Sequence, residues 1–153
     1  MDMEAAMKRI PPHSAEAEQA VLGAMLMNKE AITVASEILS GDDFYQTAYG
    51  ILFNSMVELF HAGKPVDLIT LQEYLKEKDV PPEISSMEFA RDLLMGTQTS
   101  ANIKSYAEIV REKSIMRRLI KVNEETANAC YLQNQSLEEI LEDAQKQVFA
   151  LAE

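Results

Sequence analysis

The spacing of apolar positions divides the chain into several short helices followed by one long one. Ala17, Ala20, Val21, Ala24 and Leu26 form a narrow helical face behind Ser14, a good N-cap, and Gly23 within that face implies a close helix crossing. Asn28 can cap a second helix carrying Ile32, Ala35, Ile38 and Leu39. A third, over about 46–61, turns Ile51, Leu52, Met56, Leu59 and Phe60 inward and stops at Gly63. Asp67 caps a short helix with Leu68, Leu71 and Leu75, ending near Lys78, and Asp79-Val80-Pro81-Pro82 breaks the chain. Ser85 with Glu88 reads as a capping box for a helix bearing Phe89, Leu93 and Leu94. Gly96-Thr97-Gln98-Thr99 then separates this head from the C-terminal third of the chain. No period-two alternation is long enough for a strand. The fold class is therefore all-α: a compact head of about five short helices, residues 1–99 with their N-terminal arm, followed by an antiparallel two-helix hairpin, residues 100–153.

In the hairpin the turn is expected at 131–135. Ser136 caps the second helix, with Glu139 three residues on, and Leu137, Leu141, Ala144, Val148 and Leu151 repeat as a heptad stripe. A turn centred near Asn134 pairs Ala127 with Leu141, Asn123 with Ala144, Ile120 with Val148, and Met116 with Leu151. Residues 101–115 then have no partner in the second helix, so Ile103, Tyr106 and Val110 are expected to pack on the head. Leu119, Val122, Leu132, Ile140 and Phe149 lie off this seam and are the candidates for burial against another molecule, as a hairpin or dimer interface.

Composition adds few chemical possibilities. At 153 residues and 47% apolar, the chain can bury a real core. One Cys excludes an internal disulfide framework. No apolar run is long enough to span a membrane and no signal peptide is read at the start, so a cytoplasmic protein is expected; residues 1–7 read as a frayed start. His13 and His61 lack metal-ligand spacing and read as cap or surface residues, and Cys130 reads as packed rather than nucleophilic. Gly63-Lys64 is not a phosphate loop: Glu58 stands where the first glycine is needed and Pro65 where Ser or Thr is needed. The carboxylate pairs Glu16 with Glu18 and Asp42 with Asp43 sit at helix starts and read as dipole partners.

Two charge patterns remain. Lys113, Arg117 and Lys121 fall on one helical face with Arg118 beside them, and Glu138, Glu139, Glu142 and Asp143 crowd the start of the last helix. They read either as solvated faces or as complementary docking patches. The net charge of −11 argues for little direct DNA binding.

The run Arg9-Ile10-Pro11-Pro12-His13-Ser14-Ala15-Glu16-Ala17-Glu18-Gln19-Ala20-Val21-Leu22-Gly23 resembles the opening of the bacterial replicative DNA helicases of the DnaB type. The resemblance continues through Asp43-Phe44-Tyr45, Gly63-Lys64-Pro65-Val66-Asp67-Leu68, Ala101-Asn102-Ile103 with Tyr106-Ala107, and Val110-Arg111-Glu112-Lys113 before Arg117-Arg118. It covers the chain from Lys8 onward. One departure is Ser85-Ser86, where many members carry Gly-Gly.

The resemblance implies a non-catalytic N-terminal domain whose hairpins pair between subunits, building a trimer-of-dimers collar on a hexameric helicase. It implies docking of the C-terminal helicase-binding domain of the primase at positions matching Glu16, Phe89, Leu119 and Ile120, and it leaves room for a helicase loader as a further partner. The RecA-like ATPase motor, with its ATP and Mg, would come after a linker, so no cofactor is expected in this chain.

Overall fold

The computed structural model describes residues 9–153; the expected frayed start at 1–7 lies outside the described residues. Helix α1 is Ala15–Met27, α2 is Lys29–Ile38, and a single 3-10 turn comes next at Gly41–Asp43. Beyond it are α3 (Thr47–His61), α4 (Leu68–Glu77), the one-turn α5 (Pro82–Ser85), α6 (Met87–Met95), the long α7 (Ile103–Leu132) and α8 (Leu137–Ala152). The described chain forms two compact units, His13–Glu112 and residues 9–12 with Lys113–Glu153.

In the head unit the helix starts are fixed by short-range hydrogen bonds. Ser14 Oγ accepts from Ala17 N–H at 3.1 Å, Asn28 Oδ1 from Glu30 N–H at 2.9 Å, and Asp67 Oδ1 from Thr70 N–H at 2.9 Å. Each satisfies one of the donors that a helix N-terminus leaves open. Gly63 has φ +74°, the left-handed turn that ends α3. The cap of α6 differs from the expected Ser85–Glu88 box. Pro82 opens α5, and Ser85 becomes its last residue, its hydroxyl donating to the Pro82 carbonyl. Ser86 is therefore the cap, accepting from Phe89 N–H at 3.2 Å.

Helix α1 is the axis of the head and packs against α2, α3 and α6. Its burial is wider than the predicted stripe: Leu22 and Met25 are buried along with Ala17, Val21 and Ala24. Phe53, Leu52, Met56, Ile32, Leu71 and Leu75 close around it. Ile103, Ala107 and Val110 from the first part of α7 belong to the same core, and Tyr106 packs on it half-buried. The compact head thus extends to Glu112, past the residue-100 start read from the sequence.

Two buried carboxylates hold this core together. Glu18, 1% exposed, accepts the main-chain N–H of Tyr45 at 3.0 Å and of Gln46 at 3.3 Å. Gln46 is the N-cap of α3 and makes no side-chain cap bond of its own; Glu18 of α1 instead holds the backbone just ahead of the helix. Asp43 accepts Ser40 N–H at 2.8 Å through Oδ2, and its Oδ1 lies 3.2 Å from Arg111 Nη1. Glu18 and Asp43 are thus structural ligands of backbone and guanidinium, beyond the dipole role the sequence suggests.

The hairpin unit has a much smaller core. Among its described apolar side chains only Val122 and Ile140, each 8% exposed, are buried. Val122 and Ile140 therefore belong inside the hairpin, which corrects their assignment to an external interface. Beyond Arg117 the sheltered positions of α7 are Arg118, Val122, Thr126 and Ala129; those of α8 are Ile140, Ala144, Gln147 and Leu151. Each set steps by three or four residues, the period of one helical face. The expected seam is thereby overturned for α7: Met116, Ile120, Asn123 and Ala127 are all exposed, as are Leu141 and Val148 on α8. Helix α7 is rotated about its own axis relative to the predicted pairing. Cys130 is also exposed rather than packed.

Candidate docking surfaces

Where α1 crosses α6 in the head, there is no room for a side chain. A Cβ on Gly23 would stand 1.6 Å from Thr97 Oγ1 and 2.8 Å from the Leu93 carbonyl oxygen. The Thr97 hydroxyl is held there by donating to that same carbonyl at 2.9 Å. Beside this crossing opens a cleft of about 450 Å³ lined by Glu16, Gln19, Tyr49, Phe89, Asp92 and Thr97. Gln19 Nε2 donates to the Tyr49 hydroxyl at 2.8 Å, and the Tyr49 and Phe89 rings meet at a tilt with centroids 5.9 Å apart. The cleft is thus aromatic on one side and carries the carboxylates of Glu16 and Asp92. Such a site suits a basic or amphipathic side chain presented by another protein.

Glu16 and Phe89 are distant in sequence, and the fold brings them into this one cleft; Glu16 is exposed and Phe89 half-buried. Gly23 signals a close crossing, but its partner across it, Thr97, has no local signature, so Tyr49, Gln19 and Asp92 are gathered only by the tertiary fold. The cleft does not include Leu119 and Ile120, which lie on α7 in the hairpin unit.

On the hairpin, apolar side chains line the outside. Leu119 is 38% exposed, Ile120 42%, Leu132 61%, Leu137 68% and Phe149 68%. Of the five proposed interface residues, Leu119, Leu132 and Phe149 face solvent, whereas Val122 and Ile140 fill the seam. Helix α7 is only weakly amphipathic because its apolar side chains are divided between two faces, one inward and one outward.

His13 stacks on Tyr45 with ring centroids 4.1 Å apart, and His61 is exposed beyond Phe60. Among the described residues no group of His, Cys, Asp or Glu is arranged to hold a metal ion, and no helix is long and apolar enough to cross a membrane.

Residues 10–112 match the family described as DnaB-like helicase N terminal domain. The chain belongs to this family. It is 40% identical over 145 residues to the replicative DNA helicase DnaB of Pasteurella multocida, covering 94% of this chain and 31% of that helicase. It is likewise 40% identical over 145 residues to the replicative DNA helicase DnaC of Bacillus subtilis, covering 95% of this chain and 32% of that one. The chain therefore spans about a third of the length of the helicases it matches.

The crystal structure of the N-terminal domain of DnaB helicase from Mycobacterium tuberculosis superimposes with a TM-score of 0.83 at 30% identity, covering 92% of this chain and 99% of that one. A DnaB-like replicative helicase studied in its interactions with primase shares the fold, with a TM-score of 0.72 at 21% identity over 88% of this chain and 31% of the other. The all-α head-and-hairpin architecture expected from the sequence is the architecture of the DnaB N-terminal domain.

Proposed function

We propose that this domain is the assembly and primase-docking module of a hexameric replicative DNA helicase. The observation that carries the reading is the hairpin. It buries two apolar side chains of its own while Leu119, Ile120, Leu132, Leu137 and Phe149 stand exposed on its surface. Large apolar side chains left exposed on a unit with so small a core suit a protein–protein contact. A second hairpin covers it, and three such pairs complete a collar.

The cleft containing Glu16 and Phe89 supports docking of the C-terminal helicase-binding domain of the primase in the head. Leu119 and Ile120 belong to the pairing face in this reading, and a primase contact there would have to share it. The motor, with its ATP and Mg, lies in the remaining two thirds of the helicase, so unwinding is an activity of the full protein. A loader is a further partner, direct DNA contact is minor, and the setting is the cytoplasm.

Two measurements test the reading separately. Sedimentation of the wild-type chain over a concentration series should show reversible self-association, and Leu119→Asp should abolish it with the helical signal intact. A strict monomer at high concentration rejects the pairing. Titration with the primase C-terminal domain should give binding that Glu16→Lys and Phe89→Ala each weaken by about tenfold or more, the loss expected of an anchoring contact. Unchanged affinity in both variants rejects the cleft as the dock.

A further inference from the structure

We propose that a second groove of the head, on the opposite flank of α6 from the Glu16–Phe89 cleft, docks an acidic amphipathic helix of a separate protein.

The groove has a volume of about 410 Å³ and is walled by Leu26 at the end of α1, Leu68 and Ile69 at the start of α4, and Met87 and Leu94 of α6. It shares no residue with the first cleft. On α6 the first cleft takes Phe89, Asp92 and Leu93, whereas this groove takes Met87, Arg91 and Leu94. At about 100° per residue those two sets point to opposite sides of the helix. Both sites can therefore be filled at once.

The apolar surface here is open. Ile69 is 68% exposed, and the exposed Met27 and Met95 each directly follow a wall residue in the chain. Methionine suits a surface that must fit a partner, because its unbranched thioether adapts its shape.

Two charged residues complete the lining, Asp67 and Arg91. Asp67 is committed to its own helix: its Oδ1 accepts the Thr70 N–H at 2.9 Å, and it sits at the positive end of α4. Arg91 is exposed and makes no ion pair among the described residues; its Nη2 lies 3.3 Å from the Met87 sulfur. A guanidinium with no carboxylate, set against apolar walls, calls for an acidic group on whatever covers those walls.

Backbone chemistry selects a helix. The walls are side chains of helical residues, and among the described residues there is no strand whose edge a peptide could extend. An extended segment would bury its N–H and C=O groups over apolar walls without partners, whereas a helix satisfies them internally. Helix α6 has nine residues and is about 14 Å long, room for apolar anchors spaced i, i+3, i+4 and i+7 along a partner helix. The chain's own acidic amphipathic helix, α8, is taken up by the hairpin pairing proposed above, and on that reading the occupant is a different protein.

The probe is a synthetic peptide of about 18 residues, long enough to hold a helix, with Leu at those four spacings and Glu flanking the stripe. A control peptide carries Lys for every Glu. Non-specific attraction to a chain of net charge −11 favours the control. Fluorescence anisotropy with the whole chain should nevertheless show the acidic peptide binding more tightly. Arg91→Glu should reverse that order, changing the ratio of the two affinities by about tenfold, and the change should fade in molar salt. Ile69→Ser, which alters an exposed wall, should weaken both peptides by about fivefold. Circular dichroism of both variants establishes that the helices remain formed.

A control peptide that binds as well as the acidic one, an affinity ratio that Arg91→Glu leaves unchanged, or binding indifferent to Ile69→Ser overturns the groove as an acidic-helix dock. A third peptide, residues 136–153 of this chain, tests the remaining occupant. If it binds as tightly as the designed acidic peptide and loses that affinity in both variants, the groove belongs to a second copy and the separate partner is overturned. Sedimentation of the unmodified chain decides the hairpin pairing independently of these outcomes.

Discussion

The carboxylate of Glu18 on α1 caps the backbone of Tyr45, 27 residues away, at 3.0 Å. The same side chain reaches Gln46 N–H, so the start of α3 is built by a residue of α1. Removing it leaves two main-chain donors without their acceptor beside a cavity. Glu18→Ala should therefore cost about 2–4 kcal/mol, as expected for buried donors left unsatisfied. Urea unfolding followed by circular dichroism measures it. A loss below about 1 kcal/mol would mean that water takes over the cap.

Asp43 and Arg111 form another long-range polar contact of the head, at 3.2 Å. The carboxylate is 2% exposed and the guanidinium 35% exposed, so the desolvated partner is the acid. Arg111→Ala should destabilise the head by about 2 kcal/mol, less than for a fully buried pair because solvent already reaches the arginine. Asp43→Asn should be milder than Asp43→Ala, because the amide oxygen can still accept from Ser40 N–H. Equal losses for the two would show that charge, not the hydrogen bond, is the larger contribution.

Gly23 tests the crossing that shapes the cleft. In an exposed helix Gly→Ala gains up to about 1 kcal/mol. Here the added methyl meets Thr97 Oγ1 and the Leu93 carbonyl, so Gly23→Ala should instead lose about 1–3 kcal/mol. Thr97→Ala removes the nearest clashing atom. The double variant should be more stable than the sum of the two single changes predicts, and a thermal-unfolding double-mutant cycle reads that coupling. Additive losses would place the strain elsewhere.

Glu58 gives a pH signature. Its carboxyl accepts from Lys78 Nζ at 2.7 Å and from the Tyr74 hydroxyl. The Lys78 bond chiefly, then the Tyr74 bond, hold the carboxyl below its ordinary value, and the Glu58 bond raises the Lys78 ammonium. The glutamate contribution is thus present above the unfolded-state carboxyl value and is lost as pH falls through the lower folded one. The lysine contribution is present below the unfolded-state ammonium value and is lost as pH rises through the higher folded one. Both side chains are well exposed, 47% and 39%, so the pair is worth about 0.5 kcal/mol or less. Glu58→Gln should show that small deficit at neutral pH, and the deficit should vanish in acid and in molar salt. A deficit that persists at about pH 2, well below the carboxyl range, would assign it to packing.

The parts of this fold that are legible in the sequence are those decided by a few neighbouring residues. Ser14, Asn28, Asp67 and Ser136 cap helices as expected because a cap needs only its own first turn. Gly23 announces a close crossing for the same kind of reason. Ser85 fails as a cap because Pro82 begins a competing turn three residues earlier. The seam fails because each residue turns a helix by about 100°. In α7, Ile115 and Val122 define one apolar face, and Met116, Leu119 and Ile120 another. Nothing local says which face α8 takes. The cleft joins α1, α3 and α6, so Glu16 and Phe89 are suggested by resemblance, whereas their companions Tyr49 and Asp92 require the tertiary fold.

The slight core of the hairpin bears on its opening rate. With Val122 and Ile140 as its buried apolar side chains, the unit has little to resist local unfolding, and its amides beyond Lys113 should exchange with deuterium far faster than those around Phe53 and Leu22. A surface that is covered only on association slows that opening. Exchange along α8 then becomes a direct clock of assembly, slowing with protein concentration while the head keeps one rate throughout.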